Sequence, residues 1–252
     1  MSSRPAPHPQ QRAAFGRRLL AEGLGTSLLV AVVVGSGIAA RRLSPGDAGL
    51  QLLENSLVTA LGLTVLILTF GPVSGAHLNP VVSVVDWLVG RRAGTGLTLP
   101  QTLAYVAAQA AGAISGALLA NAMFSVPTQV SLTIRDGTGL LLGETVATAG
   151  LVVVIFGLAR TGRPNVTAPA VGAYIGAAYW FTSSTSFANP AVTVGRMFSD
   201  TFAGIAPASV PAFLAAQLVG GAVALGVVSL LFPDVSRAAG DVVIPPAPAG
   251  EN

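Results

Sequence analysis

Apolar residues come in long blocks along this chain, broken by short polar segments. Leu19–Ala40 is one such block, and the others run at about 52–71, 101–124, 139–160, 166–183 and 208–232. Each is close to the roughly 20 residues that a helix needs to cross a hydrocarbon layer. Two further apolar pieces, at 79–90 and 189–199, are too short to cross, and each begins with Asn-Pro. The pattern predicts an all-α membrane protein with six transmembrane helices. Gly16-Arg17-Arg18 before the first block admits a signal-peptide reading, but the apolar core is long and no polar mature domain follows. The polar, proline-rich stretches 1–14 and 233–252 are predicted to be disordered cytoplasmic tails.

The blocks repeat. Tyr105–Ala113, "YVAAQAAGA", resembles Phe213–Gly221, "FLAAQLVGG", so that Gln109 answers Gln217. Ala21–Thr26, "AEGLGT", resembles Gly143–Thr148, "GETVAT", so that Glu22 answers Glu144, and Asn79 answers Asn189. Residues 15–124 therefore form a first repeat, 125–138 a connecting loop on the outside, and 139–232 a second repeat. Each copy has three spans. An odd number inverts the second copy relative to the first, which places a site at the repeat interface near the midplane.

Proline suits the first position of a helix, where its missing N–H has no intrahelical partner. Asparagine is a favoured N-cap. Asn79-Pro80-Val81 and Asn189-Pro190-Ala191 thus each read as a helix start inside apolar sequence. Irregular backbone at that depth survives only when buried in protein or lining a wet cavity. A re-entrant half-helix from each face meets the requirement. The two then meet tip to tip, their positive dipole ends facing each other, with asparagine amides free to donate into a lumen.

Composition narrows the function. Only 9% of residues are charged, 52% are hydrophobic, and there is no cysteine, which excludes disulfides and thiolate chemistry. All 13 basic residues are arginine, scattered in pairs between apolar blocks, so no nucleic-acid partner is expected. With the N-terminus inside, nine arginines fall on inner segments and four on outer ones. That bias places both termini in the cytoplasm and the protein in the cell membrane. No nucleophile–base pair, phosphate loop or metal set stands out, so neither an enzyme nor a cofactor is expected.

"SGAHLNPVV", "SFANPAV", the two "AAQ" helices and the paired membrane glutamates together resemble the aquaporin family, the major intrinsic proteins, over residues 15–232. The first motif departs mildly, with Val81 where the second copy has Ala191. The resemblance implies six spans with two half-helices, a homotetramer in membrane lipid, and one pore per subunit for water or small uncharged solutes. It also implies that Asn79 and Asn189 donate to the solute and that Glu22 and Glu144 support the loops ahead of the half-helices. His77, two residues before Asn79, is read as a supporting residue too.

Most aquaporins carry arginine three residues after the second motif asparagine; here that position is Val192. Valine offers none of the five donors or the fixed charge of a guanidinium, so the filter should be wider and more apolar. Counting back from each asparagine assigns Thr59 and Ala177 to the filter; matching the helix sequences assigns Leu61 and Tyr179. Ser186 is its loop member. Arg196 lies four residues beyond Val192, hence on nearly the same helical face and about 6 Å further along. Two readings stand for it: a displaced positive charge at the outer mouth, or a partner of Asp200. A filter without arginine points to glycerol, urea or neutral metalloid hydroxides such as arsenous acid, and the resemblance links some such members with arsenic resistance. An anion-permeable channel and a coupled secondary transporter are the competing functions on the same inverted-repeat fold.

Overall fold

The computed structural model describes residues 13–232 except Arg92 and Gly162. Residues 1–12 and 233–252, most of the two expected tails, lie outside the described residues. Eight α-helices are described: α1 (Phe15–Leu43), α2 (Ala48–Ser74), α3 (Pro80–Gly90), α4 (Leu99–Met123), α5 (Thr138–Arg160), α6 (Pro164–Phe181), α7 (Pro190–Arg196) and α8 (Val210–Leu231). The helices α1, α2, α4, α5 and α8 are long and apolar enough to cross a membrane by length and composition. The sixth, α6, has 18 residues, one of them an interior Pro169. α3 and α7 are the half-helices.

Local chemistry accounts for the helix ends. Asp47 caps α2, accepting from the Leu50 amide, and Gly75 closes it in the left-handed conformation at φ 89°. Thr98 and Gln101 form a reciprocal capping box at the start of α4. In α3, Asn79 Oδ1 accepts from Val81 N at 3.0 Å; in α7, Asn189 Oδ1 accepts from Ala191 N at 3.0 Å and Val192 N at 3.3 Å. α7 stops at Arg196, short of the expected 199. Met197 N bonds Val194 O and Phe198 N bonds Gly195 O, three-residue bonds that tighten and end the helix.

The packing repeats as the helices do. α1 lies on α4 and on α2, and α5 likewise on α8 and on α6; α2 meets α6 across the centre. α3 packs on α4 and α8, α7 on the same two helices, and the half-helices touch each other. The α1–α4 seam is backbone against backbone. A methyl at Gly112 would overlap the Gly23 carbonyl, and one at Gly116 the Ser27 carbonyl. Only glycine permits that approach, and small residues at helix seams take over the role that hydrophobic burial has in water. Gly116→Leu should force α1 and α4 apart. The expected result is protein that runs as aggregate on size exclusion in detergent; a monodisperse peak melting within a few degrees of the wild type would contradict the seam.

Segments 124–137 and 197–209 gather on one face, tied by hydrogen bonds such as Ala206 N to Thr133 O at 2.7 Å and Ser131 N to Met197 O at 2.8 Å, and Arg42 near the end of α1 joins them by Nη2 to Phe124 O at 2.7 Å. These segments make up the long-loop face.

Candidate functional site: a lumen past two joined half-helices

The loops ahead of α3 and α7 hold Cβ-bearing residues in the left-handed region. Ala76 (φ 45°) and Leu78 (φ 48°) stand three and one residues before Asn79; Ser186 (φ 50°) and Ala188 (φ 47°) stand three and one before Asn189. Each such residue costs on the order of 1–3 kcal/mol unless its surroundings enforce it. The two buried glutamates supply the enforcement. Glu22 Oε1 accepts from Ser74 Oγ (2.6 Å) and His77 N (3.0 Å), and Oε2 from Leu78 N (2.7 Å) and Gln109 Nε2 (2.8 Å). Glu144 accepts from Phe187 N (2.8 Å), Ala188 N (2.9 Å) and Gln217 Nε2 (2.6 Å). Gln109 also donates to Ser83 Oγ at 3.0 Å and Gln217 to Thr193 Oγ1 at 2.9 Å. Both glutamines thus bind a glutamate to a half-helix. His77 Nδ1 lies 3.1 Å from Ser83 Oγ, and its ring meets Tyr105 edge-on with centroids 5.5 Å apart.

The tips are joined by a crossed pair of bonds. Asn79 Nδ2 donates to the Ala188 carbonyl at 2.8 Å, and Asn189 Nδ2 donates to the Leu78 carbonyl at 2.7 Å. Each amide therefore spends one N–H on the opposite repeat and its oxygen on its own helix cap. One N–H per asparagine remains for the lumen, since the amide nitrogen carries two. The sequence does not reveal this division of labour.

A lumen runs past the tips, and both asparagines, His77, Ser186 and Val192 line it. Its walls are apolar side chains of the four surrounding helices, among them Leu29, Leu63, Ile67, Leu151, Ile155 and Val171. Pro80, Val81, Pro190 and Ala191 are not among the lining residues. The prolines open the half-helices. Val81 and Ala191 are buried in the apolar core, where Val81 fills the space in front of Gly221 of α8.

Neither sequence alignment of the filter holds as a pair. Leu61 is 60% exposed on the outside of α2, and Ala177 is likewise exposed on α6, so neither reaches the lumen. Thr59 and Tyr179, one from each alternative, line it together. Their hydroxyls lie 3.2 Å apart. The physical reason is the loop length: four residues separate the end of α2 from Asn79, and seven separate the end of α6 from Asn189. Thr59 stands 20 residues before Asn79 and Tyr179 only 10 before Asn189, so the two-residue shift between the alignments suits one copy and not the other.

Arg196 differs from both of its expected readings. It is 2% exposed and lines the lumen rather than standing at the mouth. Its Nε donates to the Ala203 carbonyl, and its guanidinium carbon lies 3.5 Å from the centroid of the Phe187 ring. Asp200 is engaged elsewhere, accepting from Leu132 N at 3.0 Å and Ser131 Oγ at 3.4 Å. Phe187, which the sequence reading passed over, is the repeat counterpart of His77: both stand two residues before the motif asparagine. That symmetry is the signal that would have found it.

The profile of the major intrinsic protein family matches residues 10–187. Aquaglyceroporin AqpS of Rhizobium meliloti is 50% identical over 216 residues, 85% of this chain and 90% of that protein. The glycerol uptake facilitator protein of Pseudomonas aeruginosa is 38% identical over 120 residues, 48% of this chain and 39% of that one. Among solved structures, the aquaglyceroporin from Plasmodium falciparum superposes with a TM-score of 0.63 at 21% identity, covering 89% of this chain and 100% of that chain.

Proposed function

The chain belongs to the major intrinsic protein family, and on that premise we propose that it is a facilitator for uncharged solutes of glycerol size. As a member it is a multi-pass membrane channel for water and small solutes and not an enzyme. The observation that carries the finer reading is Val192. An apolar side chain, 5% exposed and lining the lumen, stands where the family's filter arginine would stand. Thr59, Tyr179 and Ser186 share that lumen as its hydroxyl-bearing residues, and they offer hydrogen bonds to a polyol or an amide without a charge.

Arsenous acid, a neutral trihydroxide, offers oxygens much as glycerol does, and we include metalloid hydroxides among the solutes and arsenic handling among the roles. Assembly as a homotetramer in the cell membrane, with both termini cytoplasmic, completes the reading. The arginine bias supports the orientation, which puts the long-loop face outside. The apolar outer surface, with residues such as Leu20, Leu103 and Leu218 more than half exposed, supports burial against lipid and neighbouring subunits.

Proton- or ion-coupled transport finds little support. Coupling needs titratable groups free along the path. Glu22 and Glu144 are the carboxylates deep in the full spans, and protein donors occupy both oxygens of each.

Stopped-flow light scattering on reconstituted vesicles tests the reading. Glycerol, urea and arsenous acid should each enter at least about tenfold faster than in protein-free vesicles, a barrier reduction of about 1.4 kcal/mol. Accelerated water flow with none of the three solutes accelerated would overturn it.

A further inference from the structure

Phe187 has a guanidinium on it twice. The Arg196 carbon lies 3.5 Å from the ring centroid and the Arg135 carbon 5.0 Å from it. Arg135 comes from the segment between α4 and α5, and is held by Nε to Gly204 O at 2.8 Å and Nη2 to Phe202 O at 3.2 Å. Burial lowers the Arg135 guanidinium from its ordinary value, and the Glu144 carboxylate opposes that shift. Among the described residues neither arginine is hydrogen-bonded to a carboxylate. Two like charges are thus packed around one ring, and backbone carbonyls and a π-face only partly offset them.

Two observations say where a counter-charge would sit. The hydrogen bond of Arg196 among the described residues uses Nε alone, which leaves both Nη groups for the lumen that its side chain lines. Ser186 lines the same lumen, is 3% exposed, and its buried Oγ has no hydrogen-bond partner among the described residues. Buried hydroxyls are nearly always paired. The Thr26 and Thr148 hydroxyls are unpaired too, but Ser186 alone of the three lines the lumen that Arg196 also lines, and that shared lining points to a ligand. The ligand has to bring acceptors, carry negative charge and fit the lumen that these residues line. Guanidinium Nη groups match two oxygens of one planar group.

We propose that Arg196 and Ser186, backed by Arg135 across Phe187, form a binding station for a small singly charged oxyanion in the lumen beyond Val192. This rests on the channel reading. An anion held there occupies the path that neutral solutes take, so a planar oxyanion such as nitrate acts as a saturable inhibitor of neutral-solute flux. The missing filter arginine is therefore not simply lost. Its charge is moved one helical turn along α7, from the position of Val192 to Arg196, where it holds an anion.

The test is urea influx into vesicles bearing the full-length channel, at constant ionic strength, with sodium nitrate replacing sodium gluconate on both sides. Protein-free vesicles of the same lipid set the background. Nitrate should depress urea influx along a saturating curve. Each variant is measured against its own nitrate-free rate. Arg196→Gln should raise the half-inhibiting nitrate concentration about tenfold or abolish inhibition, and Ser186→Ala should raise it several-fold. Ser186→Ala removes an oxygen that bonds to nothing in the protein, so it decides the matter if Arg196→Gln fails to reach the membrane. Flux that ignores nitrate in the wild type, or a midpoint unmoved in Ser186→Ala, overturns the station while leaving the channel standing. No urea flux in nitrate-free vesicles overturns the channel reading and the station with it.

Discussion

Glu144→Ala is expected to leave no folded channel. The carboxylate accepts from Phe187 N, Ala188 N and Gln217 Nε2, and it is wholly buried. Alanine strands those three donors, each at about 1–3 kcal/mol. It also releases the restraint on Ser186 and Ala188, which hold left-handed φ angles of 50° and 47°. The sum reaches the order of a domain's entire stability, about 5–15 kcal/mol. Glu144→Gln keeps one acceptor oxygen and should fold with a clearly lowered melting temperature. Circular dichroism melts and size exclusion in detergent read both outcomes. A Glu144→Ala protein that melts like the wild type and still passes glycerol would show that the carboxylate does not hold the loop.

The second large effect is on selectivity rather than folding. Val192 lines the lumen, and arginine there would project a longer, charged side chain into it. The new guanidinium would lie one turn, about 6 Å, along α7 from Arg196, so their repulsion would add to the narrowing. Glycerol, the larger solute, should be rejected first. Val192→Arg is expected to cut glycerol flux more than tenfold, an added barrier of at least about 1.4 kcal/mol, and to cut water flow distinctly less. Equal losses for both, read in the same vesicles by stopped-flow scattering, would count against Val192 as the residue that sets the width.

Much of this architecture was legible because inverted repetition writes the same chemistry twice. Glu22 with Glu144, Gln109 with Gln217, and the two Asn-Pro starts each pointed to equivalent places, and in the folded chain each pair makes equivalent bonds. The filter was legible only in part. Its residues come from two helices, and those helices end at different distances from their asparagines. Counting picked Thr59, which lines the lumen, and Ala177, which does not; helix matching picked Tyr179, which lines it, and Leu61, which does not. The crossed amide bonds and the stacking of Arg196 and Arg135 on Phe187 were not legible at all. The amide bonds reach over about 110 residues and the Arg135 contact over about 50, set by how the repeats dock; Arg196 is only nine residues from Phe187, but the turn of the chain that stacks them follows no simple spacing.

The central claim is that a solute path runs beside the joined half-helices and between Thr59, Tyr179 and Val192. The chain has no cysteine, so single thiols can be placed without background. The decisive measurement is glycerol flux before and after a small, charged methanethiosulfonate reagent in vesicles carrying Val192→Cys, Tyr179→Cys, Leu61→Cys or Ala177→Cys. Modification at 192 and 179 should block flux, and reagent at 61 and 177 should leave it unchanged. Full labelling at 192 with undiminished glycerol flux would contradict the account.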